Sequence, residues 1–403
     1  VQVFSIMVDD GQAVEFLVEL DDTLIANLLE DESPERIATV IQESSANDQS
    51  YILSTLEDEQ AQSVIELLKT EEQEEIEELM GYPEDSAGAM MTTNVFTLYQ
   101  NTICRDALKS LQDQSEAEMV FYLYITDEDD RLVGVASLRA LATTPADTIL
   151  KDIMVKRVHT VRPETDQEEV AQIVAQYNYL AVPVLDEDDQ LLGIVTVDDV
   201  VDVIREEATE DFLQMAGAGK DREILLKSSW ENARARLPWL FASWIGGIFA
   251  ASIIGTFEHM LESMIALAAF IPVIIGMGGN IGTQSSTIIV RGIATGRIES
   301  GSELKVMWKE VRVGIILGAL YGLLLGAFAK LRFIDADPML GVVVGLSIGC
   351  SMLLAVAVGT FVPMFLRKVD IDPAIASGPF VTTSIDILGV LFYFVIAEYF
   401  LSF

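Results

Sequence analysis

The sequence predicts a multidomain membrane protein: an acidic α-helical N-terminal domain, a tandem α/β repeat, a connecting helix and an all-α membrane domain of five helices. Three observations predict it. Charge and hydropathy part company along the chain, an Asp-rich motif recurs 59 residues after itself, and five apolar stretches fill residues 237–403.

The 403-residue chain carries a formal net charge of −38 yet has a mean hydropathy of +0.36, values that rarely coexist in one domain. Dividing it near Arg236 resolves the conflict. Residues 1–236 hold 52 acidic and 16 basic side chains, and residues 237–403 hold 11 and 9. The first part is a strongly acidic body and the second is nearly neutral and apolar. A body of that charge repels nucleic acid and anionic surfaces and attracts cations. Acidity with few lysines also suits solvation in a salty cell interior, and the two readings are compatible. Cys104 and Cys350 fall in different parts, as do His159 and His259. That removes a disulfide framework, a Cys- or His-based metal centre and most nucleophile–His catalysis. Residues 1–10 are apolar but lack a basic leader and a cleavage motif, so no cleavable signal is expected there.

The helical domain is expected over residues 1–87. Ser33-Pro34-Glu35 is a helix-start signal, with serine as cap and proline in the first turn. The stretch 60–68 places Val64, Leu67 and Leu68 on one helical face. The glutamate-rich stretch 71–78 reads as a solvated helix surface.

The repeat is expected over residues 88–199. Asp127-Glu128-Asp129-Asp130-Arg131-Leu132-Val133-Gly134-Val135 recurs as Asp186-Glu187-Asp188-Asp189-Gln190-Leu191-Leu192-Gly193-Ile194. Apolar strands precede each copy at 121–125 and at Ala181–Leu185, and a strand entering a helix follows at Ser137 and Thr196. Upstream, Met91-Thr92 and Met154-Val155 precede short strands at 95–98 and 158–161. The order β-α-β-β-α in tandem gives two halves, each too small to bury a core alone. These residues resemble a pair of CBS domains, a regulatory module whose copies pair into one unit. Such pairs often bind adenine nucleotides, so the resemblance makes ATP an expected ligand.

Connecting helices are expected over 200–236. The run 198–215 is helical, Gly217 and Gly219 break it, and a second run continues to Pro238. The membrane domain, 237–403, carries apolar spans at 238–257, 264–289, 313–329, 339–366 and 375–402. Each approaches or exceeds the length needed to cross about 30 Å of hydrocarbon at 1.5 Å per residue. Basic residues set the orientation. Lys227, Arg234, Arg236, Arg291, Arg297, Lys305, Lys309, Arg312, Arg367 and Lys368 lie on one side, against Lys330 and Arg332 on the other. Residues 1–236 are therefore expected in the cytoplasm, with the C-terminus outside a cell (inner) membrane.

Two membrane motifs and one acidic run carry the chemistry. Asp386 lies deep in the fifth span, behind Thr382, Thr383 and Ser384. An intramembrane carboxylate costs several kcal/mol unless it meets water, a partner or a cation. It reads as a cation site in a pore or as a protonated helix–helix hydrogen bond. The second motif runs from Pro272 to Gln284, with Gly276, Gly278, Gly279 and Gly282 in seven residues. Glycines at that density indicate tight helix packing or backbone lining a cavity. Asn280 and Gln284, four apart, share one helix face and favour a polar cavity. The acidic run comprises Asp198, Asp199, Asp202, Glu206, Glu207, Glu210 and Asp211. Residues 198, 202 and 206 share a face, as do 207 and 211. The run reads either as a solvated face or as a cation sensor beside the membrane, together with Asp372.

The stretch Gly-Met-Gly-Gly-Asn-Ile-Gly-Thr-Gln at 276–284, followed by Arg291-Gly292, resembles the signature of the MgtE family of magnesium channels. Asp372-Pro373 with Asp386 thirteen residues after the proline matches as well, and so does the domain order. The resemblance covers essentially the whole chain. It implies a homodimer with a pore on the two-fold axis lined by spans two and five, in which Asp386 is the selective ion site. Two departures stand out. Gly378-Pro379 replaces a frequent Asn-Pro at the cytoplasmic mouth, and Asn47-Asp48-Gln49-Ser50-Tyr51 keeps only part of a family Asp-Asp-rich motif, leaving Asp48 as sensor candidate.

Magnesium suits these residues, because it prefers octahedral oxygen ligands and gives up water reluctantly. A pair of Asp386 carboxylates would hold it largely hydrated, though an all-oxygen site does not exclude Mn²⁺ or Co²⁺. The reading is therefore a Mg²⁺ uptake channel gated by cytoplasmic Mg²⁺. The alternatives are a carrier of another divalent ion and a non-conducting cation sensor. An intramembrane protease lacks its His-Glu-x-x-His motif here, and no enzyme is expected.

Overall fold

The computed structural model describes residues 13–18, 20–42, 44–113, 121–219, 224–298, 301–369, 371–376 and 378–401. The stretch 1–10, read above for a signal, lies outside them. The chain forms two compact units, Val1–Glu207 and Ala208–Phe403.

Among the described residues, the first unit has six short helices ahead of the repeat: α1 (Ala13–Val18), α2 (Asp22–Leu29), α3 (Pro34–Ile41), α4 (Ala46–Ser54), α5 (Asp58–Ile65) and α6 (Thr70–Met80). None would hold its shape alone, so a shared core holds them, built from Leu17, Ile25, Leu29, Ile37, Ile41, Ile52, Leu53, Val64 and Ile76. Ser45 caps α4 by accepting from the Asp48 amide at 3.1 Å. Ser33 and Pro34 occupy the cap and first turn of α3, although the Ser33 side chain makes no capping bond. One expectation fails. Val64 and Leu68 are buried but Leu67 is 50% exposed, because α5 stops at Ile65 and helical spacing no longer applies beyond it.

The tandem repeat follows. Its first copy runs α7 (Ala87–Met90), β1 (Thr97–Tyr99), α8 (Cys104–Asp113), β2 (Tyr122–Thr126), β3 (Leu132–Ser137) and α9 (Leu138–Thr143). The second runs α10 (Leu150–Ile153), α11 (Gln167–Tyr177), β4 (Ala181–Leu185), β5 (Leu191–Thr196) and α12 (Val197–Met215). In the first copy β1 pairs parallel with β2, and β2 antiparallel with β3. In the second, the strand expected at 158–161 shrinks to one parallel bridge, Val161 to Val184. Pro183 stands where the first copy has Tyr124, and without an N–H it cannot extend that ladder.

The two copies clasp one another reciprocally. Thr92 exchanges both backbone bonds with Ile194 of β5, and Val155 does the same with Val135 of β3. Gly134 and Gly193 permit this approach. A Cβ on them would lie 2.8 Å from the Val155 carbonyl oxygen and 2.6 Å from that of Thr92. The Asp-rich hairpins serve as turns: Asp130 and Asp189 adopt φ of 59° and 64°, and Asp127 and Asp186 accept the turn amides.

In the second unit, Gly217 and Gly219, with φ of 69° and 103°, end the helical run as expected. Five long apolar helices follow, α13 (Ser229–Thr256), α15 (Ile271–Ala294), α16 (Glu303–Arg332), α17 (Leu340–Lys368) and α18 (Pro379–Phe400). A short α14 (Glu258–Ser263) and a 3₁₀ segment, Ile265–Phe270, precede α15, and a second 3₁₀ turn, Pro373–Ala376, precedes α18. All five are long and apolar enough to cross a membrane. The first begins earlier than expected. A capping box of Ser228 and Glu231 starts α13, which then runs unbroken through Pro238.

Helices α16 and α17 meet backbone to backbone. A Cβ on Gly322 would lie 2.6 Å from the Gly345 carbonyl oxygen, and one on Gly341 2.7 Å from that of Gly326. In hydrocarbon, apolar burial gives helices little reason to associate, and small residues replace it by close packing.

Candidate cation site in the membrane domain

Asp386 sits two turns into α18, half-buried, beside the glycine-rich segment of α15. A Cβ on Gly279 would stand 3.8 Å from the Asp386 Oδ1 atom. The two helices come this close because neighbouring positions lack side chains. Ile385 Cγ2 lies 3.0 Å from a Cβ position on Gly278, and Ile385 Cδ1 occupies the place of one on Gly282. Ser351 Oγ of α17 fills the third side, 2.8 Å from that Gly278 position. Gly278 and Gly282 thus serve packing, while Gly279 faces the carboxylate. Gly276 has nothing within 4 Å of a Cβ position.

Asn280 and Gln284 are exposed on the protomer, one and two turns beyond Gly276 on the same face of α15. Thr382 shares the face of Asp386, one turn earlier, and its hydroxyl lies 3.1 Å from the Pro379 carbonyl and 3.3 Å from that of Gly378. Thr383 does not join them. It packs on Gly246 of α13, whose Cβ position its methyl fills, so its role is helix packing. Among the described residues, no three Asp, Glu, His or Cys side chains gather where they could hold a metal.

The start of α18 packs against the end of α12. Pro379 Cγ lies 2.8 Å from a Cβ position on Gly217, and a Cβ on Gly378 would stand 2.7 Å from the Met215 carbonyl oxygen. Here the unusual Gly378 has a physical reason: a larger residue would push α12 away. Asp211 of α12 is near Asp372, whose Oδ1 accepts from the Ala374 amide at 2.8 Å. Burial first, and Asp372 second, push the Asp211 carboxyl up to about 6, against the opposing effect of Arg291.

The remaining acidic residues are spread along the helix. Glu210 accepts from Gln214 Nε2 at 2.7 Å and Glu207 from Gln167 Nε2 at 2.6 Å. Asp202 pairs with Arg205 at 3.2 Å, Asp198 and Glu206 are exposed, and Asp199 accepts from the Thr196 amide and hydroxyl. Asp48 lies in the first turn of α4.

Sequence reasoning missed Glu310 of α16, which is 6% exposed and accepts from Ser285 Oγ at 3.1 Å. Its signal was available: Glu310 precedes Gly314, Gly318, Gly322 and Gly326 at strict four-residue spacing, the face that α16 buries.

A paired regulatory repeat followed by five apolar helices, one carrying an intramembrane carboxylate, defines a multi-pass membrane protein of the transport class. Comparison with known proteins gives the particular family. The intracellular N domain of MgtE matches residues 1–85, CBS domains match 87–146 and 150–206, and the MgtE divalent cation transporter domain matches 271–396. The magnesium transporter MgtE of Enterococcus faecalis is 40% identical over 330 residues, 82% of this chain and 72% of that one. That of Bacillus subtilis is 39% identical over 327 residues, covering 81% and 72%. The solved cytosolic domain of the Mg²⁺ channel MgtE in complex with ATP is 37% identical over 48% of this chain and 79% of that one, with a TM-score of 0.46. The chain belongs to the MgtE family of divalent cation transporters, which are not enzymes.

Proposed function

We propose that the chain is a homodimeric channel for Mg²⁺ uptake, with its ion path between the α15 and α18 helices of two copies. The observation that carries this reading is the uncovered polar face of α15. Asn280 and Gln284 are exposed on a helix of membrane-spanning length, beside the half-buried Asp386 carboxylate. Polar groups facing hydrocarbon are costly, so a second copy and a water-filled path between the two is the arrangement that covers them. Two Asp386 carboxylates supplied by two-fold symmetry then hold one divalent ion through its retained waters. The magnesium transporters that the chain resembles support Mg²⁺ as the ion.

The same reading places residues 1–236 in the cytoplasm and makes Asp198, Asp202, Glu206, Glu207, Glu210, Asp211 and Asp372 the sensor, with Asp48 a further candidate. Carboxylates spaced along one helix repel each other, and Mg²⁺ binding relieves that repulsion. An ion that binds the closed arrangement more tightly shifts the population toward it, which limits uptake when internal Mg²⁺ is high. The CBS pair is the proposed binding module for an adenine nucleotide, ATP. The decisive experiment measures Mg²⁺ flux into liposomes. Asp386→Ala should abolish flux while the protein remains a folded dimer, and a folded dimer with normal flux would remove the pore assignment.

A further inference from the structure

A second carboxylate is buried in the membrane unit, away from Asp386, and the reading above gives it no task. Glu310 of α16 is 6% exposed, and it enters none of the ion pairs found among the described residues. The neighbouring cations on its helix, Lys309 and Arg312, are exposed on other faces. It accepts a hydrogen bond from the hydroxyl of Ser285, itself 3% exposed, at 3.1 Å.

Two further buried hydroxyls lie at about this level of the bundle. Ser286 and Thr360 are both fully buried, and neither hydroxyl has a hydrogen-bond partner. Helix register sets their level relative to Glu310. Gly314 packs on Val356, with its Cβ position 3.2 Å from Val356 Cγ2. The helices α16 and α17 are antiparallel, as successive contacts of Gly318 with Gly349 and Gly322 with Gly345 require. One turn further, Glu310 is level with the 357–360 turn of α17, in which Thr360 is the buried hydroxyl. Gly282 packs on Gly359 and on the Ala355 carbonyl, and one turn beyond Gly282 stands Ser286, level with Thr360.

We propose that Glu310, Ser285, Ser286 and Thr360 bind one dehydrated monovalent alkali cation, sodium or potassium, within a single protomer. Charge selects the class. One buried carboxylate neutralises one positive charge, whereas a divalent ion would leave an excess charge in an apolar surround. The hydroxyls are hard oxygen ligands, and coordination of a cation satisfies buried oxygens that are otherwise left without a partner. A bound ion ties α15 to α16 and α17, and so fixes the helix that carries Gly279. This site is independent of the pore reading, because it needs neither Asp386 nor a second copy.

The test uses the full chain in detergent, with its thermal midpoint followed in sodium, potassium or choline chloride at equal ionic strength. Sodium or potassium should raise the midpoint saturably, by about 3 °C or more over choline. Glu310→Gln should abolish the difference. Thr360→Val, which keeps the side-chain shape, and Ser286→Ala should each raise the half-saturating concentration at least about tenfold, while Asp386→Ala leaves it unchanged. Equal midpoints in the three salts would overturn the proposal, as would a parent-like salt response in folded Thr360→Val and Ser286→Ala proteins. A midpoint that rises only on acidification in choline would also overturn it, by assigning the site to a proton.

Discussion

Alanine substitutions at three glycines of α15, Gly276, Gly278 and Gly279, separate packing from ion handling, because the three face different surroundings. At Gly279 a methyl would stand 3.8 Å from Asp386 Oδ1, ordinary contact, so Gly279→Ala should fold as the parent does. Its helix propensity even improves by up to about 1 kcal/mol. The methyl does, however, replace space in which water could bridge the carboxylate and a hydrated ion. Loss of one such charged hydrogen bond is worth roughly 1.5 kcal/mol, so Mg²⁺ flux should fall about tenfold. At Gly278 the methyl meets Ser351 Oγ at 2.8 Å and Ile385 Cγ2 at 3.0 Å. The serine hydroxyl can rotate away, but the β-branched isoleucine is stiff on its helix. Overpacking of this kind costs about 1–3 kcal/mol, a loss of roughly 2–12 °C in thermal midpoint for a unit of this size. At Gly276 a methyl meets nothing within 4 Å, so the protomer is indifferent. Any change in flux or dimer stability from Gly276→Ala would then report on a surface outside the protomer. The assays are the thermal midpoint in detergent and Mg²⁺ flux into liposomes. Full flux through a stable Gly279→Ala protein would refute the placement of the ion beside Gly279. An unchanged midpoint for Gly278→Ala would refute the packing argument.

The carboxyl of Asp211 is held up to about 6, above its ordinary value of 3.8, so its ionised form opposes folding. In EDTA that penalty, about 1 kcal/mol after allowance for partial exposure, should be full above pH about 6 and vanish as the pH falls toward 4, and Asp211→Asn should flatten the stability curve. A parent-like pH curve in the variant would dismiss this account. Neutralising Asp202, Glu206, Glu207, Glu210 and Asp211 together should move the inhibition of flux by cytoplasmic Mg²⁺ to severalfold higher concentration; an unchanged midpoint and slope would reduce the run to a solvated surface. Calorimetry of the full chain with ATP should register binding, and no heat at millimolar nucleotide would exclude it.

The fold class was legible because each of its signals is local. Charge partition, a repeat at fixed offset and apolar runs of membrane length need no knowledge of what touches what. Element ends were less legible where two rules compete. Pro238 lacks an N–H and usually ends a helical run, yet the capping box at Ser228 and the apolar sequence beyond carry α13 through it. Leu67 fits a helical stripe only if α5 continues, and α5 stops two residues earlier. At the site, Asp386 was legible as a residue type improbable in a membrane span, and the glycines by their density, four in seven residues. Their division of labour was not. That Gly278 and Gly282 receive Ile385 while Gly279 faces the carboxylate depends on the register between α15 and α18, which no single segment encodes. Thr383 was assigned by proximity in sequence to Asp386, but three residues along a helix turn it toward Gly246 instead.

One helix, α15, carries both the packing and the polar surface, and its period explains how. At 100° per residue, Gly276, Asn280 and Gln284 fall within about 80° of one another. Gly278, Gly282, Ser285 and Ile289, all buried, cluster on the opposite side. In water this would be an ordinary amphipathic helix with its polar side wetted. Across a bilayer the polar side cannot be left against acyl chains, and none of the described residues covers Asn280 or Gln284. A soluble-type solution, in which the helix turns that side inward, is closed by the glycines, because the inward side is already committed to the α17 backbone and to Ile385 of α18. Rotation by even one residue would bring Asn280 toward Ile385 and carry Gly278 away from Ser351. The proposed assembly answers this constraint: the protomers stay as they are and the polar faces meet each other, enclosing water, with the two Asp386 side chains at its edge.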